Sequence, residues 1–178
     1  MRELILGGVR SGKSRHAEQR ARELSDDVVY IATARPRGDA GMAERIAAHR
    51  ARRPAHWQTI EAPLELARAI EAHSAPGRVL LIDCLSLWLT NQLVAGDGAT
   101  EANVTSESLE QARTGLVDAV AAAGGDLLLV SNETGLGVMP MNALARRFCD
   151  EAGALHQQMA ERCERVTWTV AGLAQPLK

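Results

Sequence analysis

Two stretches of this chain carry residues whose types and spacing could act on a phosphate. The first is Gly7-Gly8-Val9-Arg10-Ser11-Gly12-Lys13-Ser14, which fits the phosphate-loop pattern G-x-x-x-x-G-K-[ST]. An apolar run precedes it and a helical period follows. The glycines can therefore wrap backbone N–H groups around a β-phosphate at the positive end of a helix. Lys13 would reach the β- and γ-phosphates, and the Ser14 hydroxyl would ligate Mg²⁺. The second stretch runs from Glu44 to Trp57, where Arg45, Arg50, Arg52 and Arg53 surround His49. Guanidinium groups so placed could hold nucleotide phosphates while an imidazole attacks phosphorus. An exposed basic helix with an ordinary surface histidine accounts for the same residues.

A phosphate loop of this kind needs an acid at the end of a neighbouring strand. Val79-Leu80-Leu81-Ile82-Asp83 supplies one, with Asp83 at a strand C-terminus where open α/β sheets bind ligands. A helical segment follows, so Asp83 also reads as a helix N-cap. Glu133 is the rival: it too ends an apolar run, ahead of Gly135 and Gly137, and otherwise reads as part of a polar turn. His16 follows the loop and could reach a nucleotide or simply pack. His56 and His156 have no partner legible in the sequence.

The elements that must position these groups alternate. Apolar runs at 3–6, 28–32, 79–82, 126–130 and 166–170 read as strands covered on both faces, with a further short strand at 57–61. Helical periods occupy 12–24, 42–52, 64–73, 85–94, 106–123 and 143–163. Gly124-Gly125 sits where a helix C-cap belongs. The polar, glycine-bearing segment 96–105 reads as a surface loop or helix entry. Strand–helix alternation around a phosphate loop predicts an α/β P-loop NTPase (RecA-like) three-layer fold. Its central sheet should be mainly parallel, in one domain over residues 1–178.

Composition narrows the function. The chain has 178 residues and a formal net charge of -2, enough for a proper core and too neutral for a general nucleic-acid binder. Its few aromatics, 3%, also argue against a strand-exchange module that stacks bases. A guanine-specific switch GTPase would carry Asn-Lys-x-Asp. Here the only lysines are Lys13 and Lys178, against eighteen arginines, so that motif is absent. The single internal lysine occupies the position where a compact ammonium suits phosphate. No stretch reads as a signal peptide or membrane span. Cys84, Cys149 and Cys163 are scattered as expected of buried thiols in a reducing cytoplasm.

Five blocks occur in order: residues 7–18, Tyr-Ile-Ala-Thr-Ala at 30–34, the His49 segment at 45–57, Asp-Cys-Leu-Ser-Leu-Trp-Leu-Thr-Asn at 83–91, and Ser-Asn-Glu-Thr-Gly-Leu-Gly-Val at 131–138. Together they resemble the bifunctional adenosylcobinamide kinase/adenosylcobinamide-phosphate guanylyltransferase family of cobalamin biosynthesis, over nearly the whole chain. The resemblance implies phosphorylation of adenosylcobinamide by ATP or GTP. It then implies GMP transfer from GTP through a phosphoramidate on His49, with Mg²⁺. It further implies GTP contacts at Gly7–Ser14, at Ala32, Thr33 and Ala34, at Arg50, Ala51, Arg52 and Arg53, and at Glu61 and Asp83. A homotrimer with nucleotide sites near subunit interfaces is also implied, and a ligand as large as the corrinoid would use exposed apolar surface between subunits. Met141-Asn142-Ala143 and Gly153-Ala154-Leu155-His156-Gln157 depart from the family's usual residues, outside the phosphate-loop and histidine blocks. A monofunctional small-molecule kinase and a non-catalytic nucleotide-binding module are the competing readings.

Overall fold

A computed structural model describes residues 1–35, 40–94 and 105–178, with only the backbone described at residues 40, 42, 43 and 45. The loop expected at 96–105 therefore lies almost wholly outside the described residues, as does the Arg45 side chain. The elements are β1 (Arg2–Gly7), α1 (Lys13–Leu24), β2 (Val28–Ala32), α2 (Ala40–Arg52), β3 (Gln58–Glu61), α3 (Leu66–His73), β4 (Val79–Asp83), α4 (Leu85–Leu93), α5 (Ser106–Ala122), β5 (Asp126–Asn132), α6 (Ala143–Arg162), β6 (Arg165–Val170) and β7 (Leu173–Pro176). One seven-stranded sheet has the order β3-β2-β4-β5-β1-β6-β7, parallel except for β7, which pairs antiparallel to β6.

The apolar runs become strands because both of their faces are covered. Leu4, Leu6, Val29, Ile31, Leu80, Ile82, Leu127 and Leu129 pack with Leu66, Leu85, Trp88, Leu116 and Leu155 from α3 to α6. The alternate residues Ile5, Val28, Tyr30, Val79, Leu81, Leu128 and Val130 pack on the other face with Ala17 and Ala21 of α1 and with Trp57. Period-two alternation thus feeds two apolar layers, and the inner strands β2, β4 and β5 need no polar face. Each fully buried Leu or Ile contributes about 1.5–3 kcal/mol relative to exposure.

Topology creates the crevice. The chain leaves β1 and returns as β2 three positions away, with β4 and β5 later inserted between them. Asp83 pairs with Val130, and Gly7 pairs with Asn132, so Asp83 stands two ladder spacings from β1, about 10 Å. That gap at the carboxyl ends of the strands is where such sheets take ligands.

Three expectations need correcting. The C-cap of α5 is Ala123, in extended conformation, and neither Gly124 nor Gly125 adopts a positive φ. Gly125 is needed for close approach: a Cβ there would lie 2.5 Å from the carbonyl oxygens of both Ala75 and Arg78. Only Cys84 and Cys163 are buried thiols, since Cys149 is half-buried. Finally, β7 was not expected. It is an exposed edge strand joined to β6 through Ala171 and Gly172, both at positive φ (51° and 80°), a two-residue hairpin turn. Among the described residues no helix is long and apolar enough to cross a membrane.

Candidate active site

The phosphate loop is held from beneath. Gly172 of the β6–β7 turn donates its N–H to the Ser11 carbonyl at 2.8 Å. A Cβ on Gly12, whose φ is 99°, would meet the Gly172 Cα at 3.0 Å, and one on Gly7 would collide with the Thr169 carbonyl and with Ser11 Oγ. Ser11 is buried, whereas Val9 and Arg10 at the loop tip are exposed. Gly12 is the N-cap of α1, with no side-chain cap and no acidic residue in the first turn. The leading N–H groups of α1 are thus left for an anion. The Lys13 ammonium reaches back across the loop to the Gly8 carbonyl at 3.1 Å. Burial pulls its pKa down, against the opposing pull of the neighbouring Asp83 carboxylate.

Asp83 is the hub of the site. Its Oδ2 accepts the Tyr30 hydroxyl at 2.7 Å and lies 3.4 Å from His49 Nδ1, and Ser14 stands close enough to help stabilise the carboxylate. Burial works to raise its pKa. Interactions with His49, Tyr30 and Ser14 outweigh that and hold the carboxyl below the usual carboxylate range. Tyr30 stays protonated because burial pushes its phenol up. The N-cap position of α4 belongs to Cys84, without a side-chain cap bond, so Asp83 faces the crevice and does not cap the helix.

Thr33 has a different position from the one expected of a nucleotide contact. It is fully buried. Its hydroxyl donates to the Cys84 carbonyl at 2.7 Å and accepts the Cys84 N–H at 2.9 Å. Asn91 of α4, which the sequence reading did not single out, donates to the carbonyls of Thr33 and Pro63. Thr33 and Asn91 together lock the tips of β2 and β4, and so aim Asp83. Ala32 and Ala34 flank Thr33 at the same edge and are half-buried.

His49 lies in the last turn of α2. Arg52 Nη2 lies 3.4 Å from His49 Nδ1, but the same nitrogen pairs with Glu18 Oε1 at 3.2 Å. The Asp83 carboxylate can only accept, so it favours the tautomer with the proton on Nδ1 and the lone pair on Nε2. Arg53 lies flat on Tyr30, its Cζ 3.3 Å from the ring centroid. Arg50 pairs with Glu61 at 2.7 Å on the exposed side, and Ala51 is exposed. Arg50, Arg53, Pro54, Trp57, Thr59 and Glu61 line a hollow of about 500 Å³.

The site residues expected from sequence therefore stand along the carboxyl ends of the strands, from the phosphate loop after β1 to Glu61 on the edge strand β3, and Glu133 belongs to a separate group. Its Oε2 faces His156 Nδ1 at 3.6 Å, and His156 Nε2 lies 2.8 Å from Ser131 Oγ. Asp83 lies near enough to Lys13 and Ser14 to couple with them electrostatically, whereas Glu133 meets the other end of the loop through its backbone, at the Gly7 carbonyl. His16 faces Glu3 at 3.9 Å, away from the loop.

Comparison with known proteins identifies the family and, separately, the fold. The family model described as cobinamide kinase / cobinamide phosphate guanyltransferase matches residues 3–177. The chain is 56% identical over its full length to the bifunctional adenosylcobalamin biosynthesis protein CobP of Pseudomonas aeruginosa, covering 98% of that protein. It is 38% identical to CobU of Escherichia coli, covering 98% of each. Among solved structures, an ATPase of a bacterial type III secretion system superposes with a TM-score of 0.54 at 12% identity. That match covers 94% of this chain and 50% of the other, a likeness of fold alone.

Proposed function

The chain belongs to the cobinamide kinase / cobinamide phosphate guanyltransferase family, and from that premise we propose how its crevice serves both reactions. The enzyme phosphorylates adenosylcobinamide with ATP or GTP. It then transfers GMP from GTP through a histidine–GMP intermediate, giving adenosylcobinamide-GDP and pyrophosphate. The observation that carries the assignment of residues is the 3.4 Å approach of His49 Nδ1 to Asp83 Oδ2, beside the phosphate loop.

In the guanylyl step His49 Nε2 attacks the α-phosphorus of GTP. The N–P bond forms, the bond from the α-phosphorus to the bridging oxygen breaks, and pyrophosphate leaves. The imidazole gains positive character, which the Asp83 carboxylate stabilises through Nδ1–H. A phosphate oxygen of the corrinoid then attacks the same phosphorus and breaks the N–P bond, restoring neutral His49. Loop N–H groups of Gly8–Ser14 and the Lys13 ammonium hold the β- and γ-phosphates in line. Arg50, Arg52 and Arg53 supply further positive charge. Glu61 offers a carboxylate that matches the N–H donors on the Watson–Crick edge of guanine. Ala32 and Ala34 form the adjoining wall, and Thr33 positions it.

Mg²⁺ fits the donor set. The Ser14 hydroxyl and the Asp83 carboxylate, neighbours beside the phosphate loop, would hold it, since this hard cation takes few protein oxygens and leaves the rest of its shell to phosphate and water. When bound, it neutralises charge on the phosphate oxygens. We also assign a homotrimer with the corrinoid near subunit interfaces and a cytoplasmic location. The trimer is in keeping with exposed apolar residues Val138, Met141, Leu173 and Leu177. Sedimentation should give a species of three 19.1-kDa chains.

The test is product analysis with adenosylcobinamide and excess GTP. Adenosylcobinamide-GDP should form with one pyrophosphate per turnover. Accumulation of the phosphorylated corrinoid alone would reduce the protein to a kinase and remove the guanylyl reading.

A further inference from the structure

We propose that Glu133, positioned by the buried His156, is the base that takes the proton from the acceptor alcohol in the kinase step. This rests on the kinase half of the function given above. Among the described residues, three carboxylates stand at or just past the carboxyl ends of the parallel strands: Glu61, Asp83 and Glu133. Asp83 is committed to Tyr30 and His49, and Glu61 pairs with Arg50 at the far edge. Glu133 is the one whose backbone abuts the start of the phosphate loop, donating its N–H to the Gly7 carbonyl at 3.1 Å.

The group behind it is built in order of depth. Ser131, at the end of β5, is fully buried. His156, from α6, is 7% exposed. The Glu133 side chain is 21% exposed and forms the outward end of the series. A serine so buried cannot attack a substrate. Its hydroxyl at 2.8 Å from His156 Nε2 instead fixes the imidazole so that Nδ1–H turns to Glu133 Oε2. Burial lowers the His156 pKa and favours that neutral ring. The other oxygen, Oε1, accepts the Gly135 N–H at 2.5 Å. Two donors therefore set the direction of a carboxylate that keeps part of its surface open to solvent, on the residue that follows the carboxyl end of β5. The turn beyond it presents Leu136 and Val138, 79% and 97% exposed, a surface suited to a large apolar acceptor.

In the step assigned here, the alcohol oxygen attacks the γ-phosphorus and the new O–P bond forms. The bond from the γ-phosphorus to the bridging oxygen breaks, its electron pair leaving with the nucleoside diphosphate. The hydroxyl proton passes to a Glu133 carboxylate oxygen. Asp83 and His49 are left for the guanylyl step.

The test uses the full-length enzyme with γ-labelled and α-labelled GTP in parallel. Glu133→Gln should lower kcat for label transfer to adenosylcobinamide by roughly 10²–10⁴-fold, with KM for the alcohol unchanged. Covalent α-labelling, a step in which Glu133 has no part, should proceed and report an intact fold. For His156, the Gln variant keeps a donor and should retain more kcat than the Leu variant at equal thermal stability. Full-rate phosphoryl transfer by Glu133→Gln would overturn the proposal, and so would loss of both labels together. Equal kcat in the Gln and Leu variants would remove the positioning role of His156. A wild-type enzyme that phosphorylates nothing would instead remove the kinase reading beneath it.

Discussion

His49 Nδ1 lies 3.4 Å from Asp83 Oδ2, the same oxygen that accepts the Tyr30 hydroxyl at 2.7 Å. A residue from the end of a helix and one from the middle of a buried strand thus share one carboxylate beside the phosphate loop. The carboxylate selects which imidazole nitrogen carries the proton. Asp83→Asn keeps the shape and loses that selection. We expect guanylylation of His49 to fall by roughly 10²–10⁴-fold, as for other carboxylate–imidazole pairs. Single-turnover labelling checks this, and a loss below tenfold would mean that Asp83 does not orient the ring.

Asp83 also predicts an acid limb of stability. Its folded pKa lies below its unfolded value, near 3.9, so it contributes stability that is complete above that value. The contribution is lost as pH falls through the folded pKa. The Tm advantage of wild type over Asp83→Asn should be full at about pH 6 and shrink below about pH 4. A constant gap down to about pH 3 would contradict the assignment.

Two glycines separate stability from nucleotide binding. A Cβ at Gly125 meets two backbone carbonyls at 2.5 Å, away from the site. Gly125→Ala should therefore lower stability by about 1–3 kcal/mol while leaving KM for GTP unchanged. Gly7→Ala meets the Thr169 carbonyl and Ser11 under the phosphate loop and should weaken nucleotide binding as well. Denaturant unfolding and nucleotide titration distinguish the two.

The thiols give a check on burial. Burial pushes Cys84 up to about 11 and Cys163 up to about 12. At pH 8 each holds roughly one part in 10³–10⁴ of thiolate. Iodoacetamide should modify Cys149 alone in the native enzyme and all three cysteines after unfolding. Rapid native modification of Cys84 would show that the strand tip next to Asp83 opens.

Gly7–Ser14 and Asp83 were legible because short-range pattern specifies them: a glycine loop between strand and helix, and an acid ending an apolar run. The strands and helices followed from the same periodicity, to within a few residues. Sequence chemistry left His49 undecided, because its meaning lies in Asp83, 34 positions away in the chain and joined to it only by the β2–β4 pairing. His156 looked partnerless for the same reason, since α6 alone returns it to Ser131 and Glu133. Thr33 and Asn91 act through backbone carbonyls, which carry no side-chain signature. The edge strand β7 ends in Pro176 and is exposed throughout, so neither alternation nor burial marked it.

The most direct test of the central claim is covalent labelling of His49. Incubation with α-labelled GTP and Mg²⁺ should leave an acid-labile GMP on the peptide that contains His49, and His49→Ala should carry none while still passing γ-label to adenosylcobinamide. A His49→Ala protein labelled to the wild-type level would contradict the account.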